Sequence, residues 1–289
     1  MKNLVRNGRF WCSVTVALFL AALSCPAHAA DKNPDDLIAK HLNSIGTAEA
    51  RSALKSLAIQ GTLRFKILVG GAGEAVGSWG RVSELRKSNF VMRFGTGNWR
   101  GEQFIYDGNK PTFAAATLTH EYTTFAQFVS GHDFIIKDGV LGGILSTAWA
   151  LENLDPNRLK LHSIGHKKID GHEMDGIECF PKGGSDMTVK MYFDPDTHRH
   201  IMTIYSVENV PRNVDNGINR SAQQQQLRYT IEEHFSEFQP FEAIMLPHHY
   251  DLQYTEELQN GSTRIYDWDM TADNIHSNVQ LDPSNFQLK

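Results

Sequence analysis

Apolar and polar residues alternate along several stretches of the chain, most clearly in LAIQGTLRFKI at residues 57–67. Every second position there is apolar or glycine, and polar side chains lie between them from Gln60 onward. A period of two is typical of a β-strand with one buried face. Shorter runs separated by Gly-rich or Asn-rich turns predict four more strands, over residues 75–86, 89–94, 103–106 and 112–117. Strands resume near Lys160 and continue to about Met270.

Two other parts of the chain have helical patterns. Asn33 can cap a first helix, and Thr47 can cap a second helix that runs through Leu57. The stretches TTFAQFVSGHD (123–133) and GVLGGILSTAWALEN (139–153) predict a further pair of helices. The second of this pair is apolar nearly all round, and a helix of that kind must be buried on most sides.

The order of these elements is two helices, about five strands, a helical pair and about six strands. This order predicts an α+β fold with one large curved antiparallel sheet and helices on one face. The polar stretch 211–226 contains four glutamines and no apolar period, so we predict an exposed insertion. No repeat or linker is visible, and residues 30–289 are therefore predicted to form a single domain.

The amino terminus has the pattern of an export signal. Three basic residues precede an apolar stretch over residues 10–23, and the small-x-small sequence Ala-His-Ala follows at 27–29. This order is typical of a secretory signal peptide, and we predict that residues 1–29 are cleaved. An alternative is lipidation at Cys25, but the nearest leucine lies two residues before this cysteine, whereas a lipobox usually has it three before.

Charge and cysteine content narrow the classes of partner. Removing the signal takes away three of the 28 basic residues and none of the 33 acidic ones, which leaves a net charge of −8. Nucleic acids favour a basic surface, so this charge argues against a nucleic-acid partner. Cys179 is the one cysteine after the signal, and it is expected to be a small buried core residue.

Four phrases carry a resemblance to a known family: DDLIAKHLNSIGTAEARSALKSLAIQGT, VKMYFDPDTHRH, FSEFQPFEAIMLPHHYDL and VQLDPSNFQLK. They resemble the LolA-like, or outer-membrane lipoprotein-sorting, family of exported bacterial proteins. The resemblance implies an unclosed half-barrel of about eleven antiparallel strands, with an apolar concave face covered by helices. Members of this superfamily carry the acyl chains of lipoproteins across the periplasm, or sense them.

His198 and His200 follow the DPDT turn and are the candidate metal ligands. A zinc site would need a third ligand, such as His248 or His249, and these two neighbours point to opposite faces of a strand. No H-E-x-x-H or C-x-x-C sequence and no Asp-rich calcium loop accompanies them. The family's hairpin usually has glycine where this chain has His198, and histidine tolerates a left-handed turn. We therefore favour a hairpin corner with exposed strand residues, with no metal and no other cofactor.

The candidate lipid-binding site consists of apolar side chains predicted to face the interior: Leu63, Phe65, Phe90, Met92, Phe94, Val140, Leu141, Ile144, Leu145, Trp149, Met191 and Phe193. An apolar cavity can bind acyl chains without a polar anchor, because each buried methylene is worth ~0.8 kcal/mol. The predicted helix over residues 139–149 would act as a lid, with Gly142-Gly143 as its weak point.

These observations predict a monomeric, non-enzymatic periplasmic carrier or binding protein for acylated lipoproteins or lipids. An inner- or outer-membrane transport protein would be a further partner. One alternative is an envelope module of the same fold that senses lipid or binds a partner. A weaker alternative is a metal-dependent hydrolase that uses His198 and His200.

Overall fold

The computed structural model of the protein describes residues 33–95, 99–117, 122–209, 227–258 and 260–288. The predicted signal at 1–29, with Cys25, and the predicted insertion at 211–226 lie outside these ranges. No helix within them is long and apolar enough to cross a membrane.

The described chain forms one sheet of twelve strands, in which every neighbouring pair is antiparallel. The strands are β1 (Ser56–Val69), β2 (Glu74–Glu84), β3 (Lys87–Phe94), β4 (Trp99–Tyr106), β5 (Pro111–Thr117), β6 (Leu159–Ile169), β7 (His172–Pro181), β8 (Met187–Phe193), β9 (His200–Asn209), β10 (Leu227–Phe241), β11 (Ile244–Glu257) and β12 (Thr263–Ser277). Across the sheet they follow the order β5-β4-β3-β2-β1-β12-β11-β10-β9-β8-β7-β6. The sheet therefore has β5 and β6 as its edges and is not closed into a barrel.

The predicted α+β fold, an unclosed antiparallel half-barrel, is confirmed. The sheet has twelve strands rather than about eleven, because the second half of the chain contributes seven strands instead of six. Its last strand continues beyond Met270 to Ser277, where Leu57 of β1 pairs with it. Of the β12 residues after Met270, only Ala272 is buried, so the apolar alternation in this part of the strand is faint.

In the described ranges, four short α-helices accompany the sheet: α1 (Pro34–Ile45), α2 (Ala48–Ala53), α3 (Thr124–Gly131) and α4 (Phe134–Lys137). Asn33, Thr47 and Thr123 each accept a hydrogen bond from a backbone N–H of the following helix, as expected for N-caps. The second helix is shorter than predicted, because Leu57 already belongs to β1.

The predicted helix at 139–153 is wrong. Residues 139–151, here called the interior segment, consist of turns and one 3-10 turn over Gly143–Leu145. Gly139, Gly142 and Gly143 have φ angles of 67°, 82° and 50°, a left-handed conformation that ends a right-handed helix. The apolar character of the segment has another cause, since every residue in it except Thr147 is buried.

The interior segment lies against the inner face of the half-barrel. Thr147 donates its backbone N–H to Ser83 of β2 at 2.9 Å, and Gly143 lies beside Phe235 of β10. The inward-facing side chains of the strands and the apolar residues of the segment form one continuous cluster. Cys179 belongs to this cluster and is fully buried, as predicted.

Candidate functional site

An aromatic cleft of about 310 Å³ opens where the ends of β1 and β12 meet the start of α3. Its lining consists of Phe65, Tyr122, Thr123, Thr124, Phe125, Tyr266 and Trp268. Phe65 is the register partner of Trp268, and their ring centroids lie 5.3 Å apart. Tyr266 stacks on Phe65 at 6.4 Å, while Tyr122 is 45% exposed and borders the solvent. We name this feature the aromatic cleft.

The twelve predicted lipid-binding residues all belong to the continuous apolar cluster or pack against it. Phe65 is partly buried and lines the aromatic cleft, whereas the other eleven are buried. Ile144 and Trp149 also border a second cleft of about 280 Å³ beside α2, whose lining includes the charged pair Arg51 and Glu152.

Several cleft residues were not among the predicted site residues. Tyr266 and Trp268 lie in the sequence YDWDM, where alternate apolar positions face inward. That alternation marks them as inner-face residues, but only their pairing with Phe65 brings them to this cleft. Tyr122 and Phe125 flank the N-cap of α3 and carry no comparable sequence signal.

The peptide unit between Leu141 and Gly142 is held at both of its polar ends. Arg81 of β2 donates through Nη2 to the Leu141 carbonyl oxygen at 2.6 Å. The Gly142 N–H donates to Oε1 of Glu233 on β10 at 2.7 Å. A Cβ atom at Gly142 would lie 1.3 Å from Arg81 Nη1, so glycine is needed for this close approach. The Gly142-Gly143 pair therefore lies at an anchored point of the interior segment.

Two tyrosines complete this buried polar site. The hydroxyl groups of Tyr205 and Tyr250 donate to the Glu233 carboxylate, each at 2.5 Å. Burial raises the pKa of Glu233, and the donors and the charge of Arg81 act in the opposite direction. Burial lowers the pKa of Arg81, while Tyr250 and Glu233 partly offset this effect. The four side chains and the clamped peptide form what we call the polar clamp.

His198 and His200 differ in their surroundings. His198 occupies the hairpin corner with a φ of 57°, which agrees with the predicted left-handed turn. His200 is fully buried, so the predicted exposed strand position is wrong for this residue. A register shift at the end of β8 brings His200 opposite Phe193, and its ring stacks on Trp149 at 5.0 Å.

A second buried histidine lies beside His200. His41 of α1 has its ring centroid 6.1 Å from that of His200. Its Nδ1 lies 3.1 Å from the His198 carbonyl oxygen, and its Nε2 accepts a hydrogen bond from Trp149 Nε1 at 3.2 Å. Because a carbonyl only accepts, Nδ1 carries the proton and His41 is neutral. Within the part of the chain that the structure describes, no three His, Cys, Asp or Glu residues are grouped to hold a metal ion.

Comparison with known proteins gives structural matches only. No model of a known protein family matches the sequence, and no curated protein matches it. The structure is similar to a DUF1329 family protein from Desulfovibrio piger, with 10% identity, 88% of this chain and 96% of that chain covered, and a TM-score of 0.46. It is also similar to a LolA superfamily protein from Nitrosomonas europaea, with 11% identity, 88% of this chain and 97% of that chain covered, and a TM-score of 0.46. A third match is an outer membrane lipoprotein-sorting protein domain from Vibrio parahaemolyticus, with 9% identity, 88% of this chain and 97% of that chain covered, and a TM-score of 0.40.

Proposed function

We propose that this protein is a periplasmic, non-enzymatic carrier or binding protein for acyl chains, supplied by lipoproteins or other lipids. The observation that carries the proposal is the aromatic cleft, which is open to solvent at Tyr122 and otherwise continues into the apolar cluster. Clefts of this size that are lined mainly by aromatic side chains suit apolar ligands. A segment of about eight methylenes buried there would gain ~6 kcal/mol before the cost of association.

A chain longer than the aromatic cleft would have to displace packed side chains of the continuous apolar cluster, to which the interior segment contributes. This segment takes the place of the lid that the sequence predicted as a helix. Its displacement also defines a second candidate function, an envelope sensor in which lipid occupancy changes the surface offered to a partner protein. A partner that co-purifies only with the lipid-loaded protein would favour the sensor, and cargo transfer between membranes without such a partner would favour the carrier.

Native mass spectrometry tests the proposed function most directly. The protein would be purified without detergent from the periplasm of a Gram-negative host, and bound species would be identified after organic extraction. We expect an acylated species bound to the protein. A protein that is empty and also fails to bind any added acyl chain would contradict both the carrier and the sensor.

Substitution within the cleft tests its location. Phe65→Asp is expected to weaken binding of a fluorescent acyl probe at least about tenfold, because it places a charge among aromatic rings. Val76→Asp makes the same apolar-to-acid change at a position that is 74% exposed, and we expect no effect there. Tyr122→Asp alters the solvent border of the cleft with little risk to folding and should also weaken binding. Normal affinity in both cleft variants would place the site elsewhere.

A further inference from the structure

Glu102 of β4 is a charged side chain that is 2% exposed on the inner face of the half-barrel. The preceding Gly101 has a φ of 118° at a register shift between β4 and β5. Such a bulge changes the direction of the following side chains. Glu102 consequently shares the inward face with Phe104, whose ring packs on Phe125 of the aromatic cleft at 5.5 Å.

Only one oxygen of this carboxylate has a partner. Oε1 accepts a hydrogen bond from the Thr123 hydroxyl, and the backbone N–H of Thr123 also donates to Glu102. Oε2 is buried and has no hydrogen-bond partner among the residues that the structure describes. Burial raises the pKa of Glu102 to about 7, with both Thr123 hydrogen bonds acting against this shift. A buried acceptor without a donor costs stability, so its presence calls for an explanation.

A structural role at the start of α3 accounts for the burial of one of the two carboxylate oxygens. Thr123 is the N-cap of α3, and a negative charge near a helix N-terminus is stabilising. The Thr123 hydroxyl donates to Oε1 alone. Thr123 also lines the aromatic cleft, so the side chain bonded to Glu102 is itself part of the cleft wall. The second oxygen is thus an unpaired, buried acceptor behind the wall that Thr123 forms, and Glu102 itself is not among the residues that line the cleft.

We infer that Glu102 determines the head-group specificity of the aromatic cleft, with Oε2 accepting a hydrogen bond from an N–H group at the head of the bound acyl chain. The inference rests on the proposed acyl-binding function and adds the chemical class of the ligand, which is a long-chain amide or a long-chain amine. A fatty carboxylate is disfavoured, because it presents only acceptor oxygens and a second negative charge to Glu102.

Calorimetric titration with two ligands of equal chain length tests this inference. Dodecanamide and dodecanoate would be titrated into the full chain at about pH 8, where both Glu102 and dodecanoate are ionised. We expect the amide to bind about tenfold more tightly than the carboxylate, the effect of one hydrogen bond to a charged group. Glu102→Gln keeps an acceptor for Thr123 and presents an amide N–H to the ligand. In this variant the preference should disappear or reverse.

Glu173→Gln is the matched control, since it removes the same charge from an exposed position on β7 and should retain the wild-type preference. Equal affinity for the two ligands in the wild type, or a preference that Glu102→Gln leaves unchanged, would overturn the inference and leave the carrier standing. If neither ligand binds the wild type, the proposed function fails, and the inference fails with it.

Discussion

Replacing Arg81 by methionine is expected to lower the free energy of unfolding by about 3–5 kcal/mol at neutral pH. Arg81 is buried, and it both donates to the Leu141 carbonyl and opposes the charge of Glu233. Methionine keeps much of the apolar stem but leaves the Glu233 carboxylate in the interior without an opposing charge. Urea-induced unfolding at constant pH measures the difference.

A double variant separates the charge from the packing. Arg81→Met combined with Glu233→Gln removes both charges. The double variant should therefore lose less free energy of unfolding than the sum of the two single variants, by at least about 1 kcal/mol. The control is Arg93→Met, which alters an exposed arginine on the neighbouring β3 and should change stability by less than about 0.5 kcal/mol. A loss below about 1 kcal/mol for Arg81→Met would show that the polar clamp contributes little to the folded state.

The period of two predicted most of the sheet, because its apolar positions are those that face inward. The same period could also have revealed the polar clamp, although neither Arg81 nor Glu233 was predicted as a site residue. Arg81 occurs between Trp79 and Ser83 at inward positions of β2, and Glu233 occurs between Ile231 and Phe235 at inward positions of β10. A charged residue at an inward position of a strand is a sequence signal for a buried polar site. Its partner, the peptide at Gly142, could not be predicted, because that contact depends on how a distant segment folds back.

The interior segment was predicted as a helix because buried apolar runs in helices and in packed turns have similar composition. The glycines at 139, 142 and 143 were the contrary signal, and they outweigh helix propensity where the chain must turn against the sheet. His200 was predicted as exposed because the DPDT turn explained the segment as a hairpin corner and no metal-binding motif accompanied the two histidines. Its burial follows from the register shift in the hairpin and from contact with α1, neither of which is visible in the local sequence.

Acidification from about pH 7 to about pH 4 is expected to lower the free energy of unfolding of the wild-type protein by ~3 kcal/mol more than that of a His41→Gln variant. Burial, assisted by the charge of Arg51, lowers the pKa of His41 from 6.5 to about 4, despite its hydrogen bond to the His198 carbonyl. The folded state thus keeps this imidazole neutral while the unfolded chain binds a proton below about pH 6.5. Proton uptake by the unfolded chain alone reduces stability until the pH falls through the folded pKa.

The comparison with His41→Gln isolates this contribution from other titrating groups. Burial raises the pKa values of Glu102 to about 7 and of Asp251 to about 6, and these carboxyls favour the folded state on acidification in both proteins. Glutamine can accept a hydrogen bond from Trp149 and donate one to the His198 carbonyl. The two proteins should therefore differ mainly in how steeply the free energy of unfolding changes with pH. The control is His172→Gln at an exposed position, which should follow the wild type. Parallel stability curves for the wild type and His41→Gln would mean that His41 accepts a proton in the folded state, in which case α1 and Trp149 are not held by a neutral imidazole.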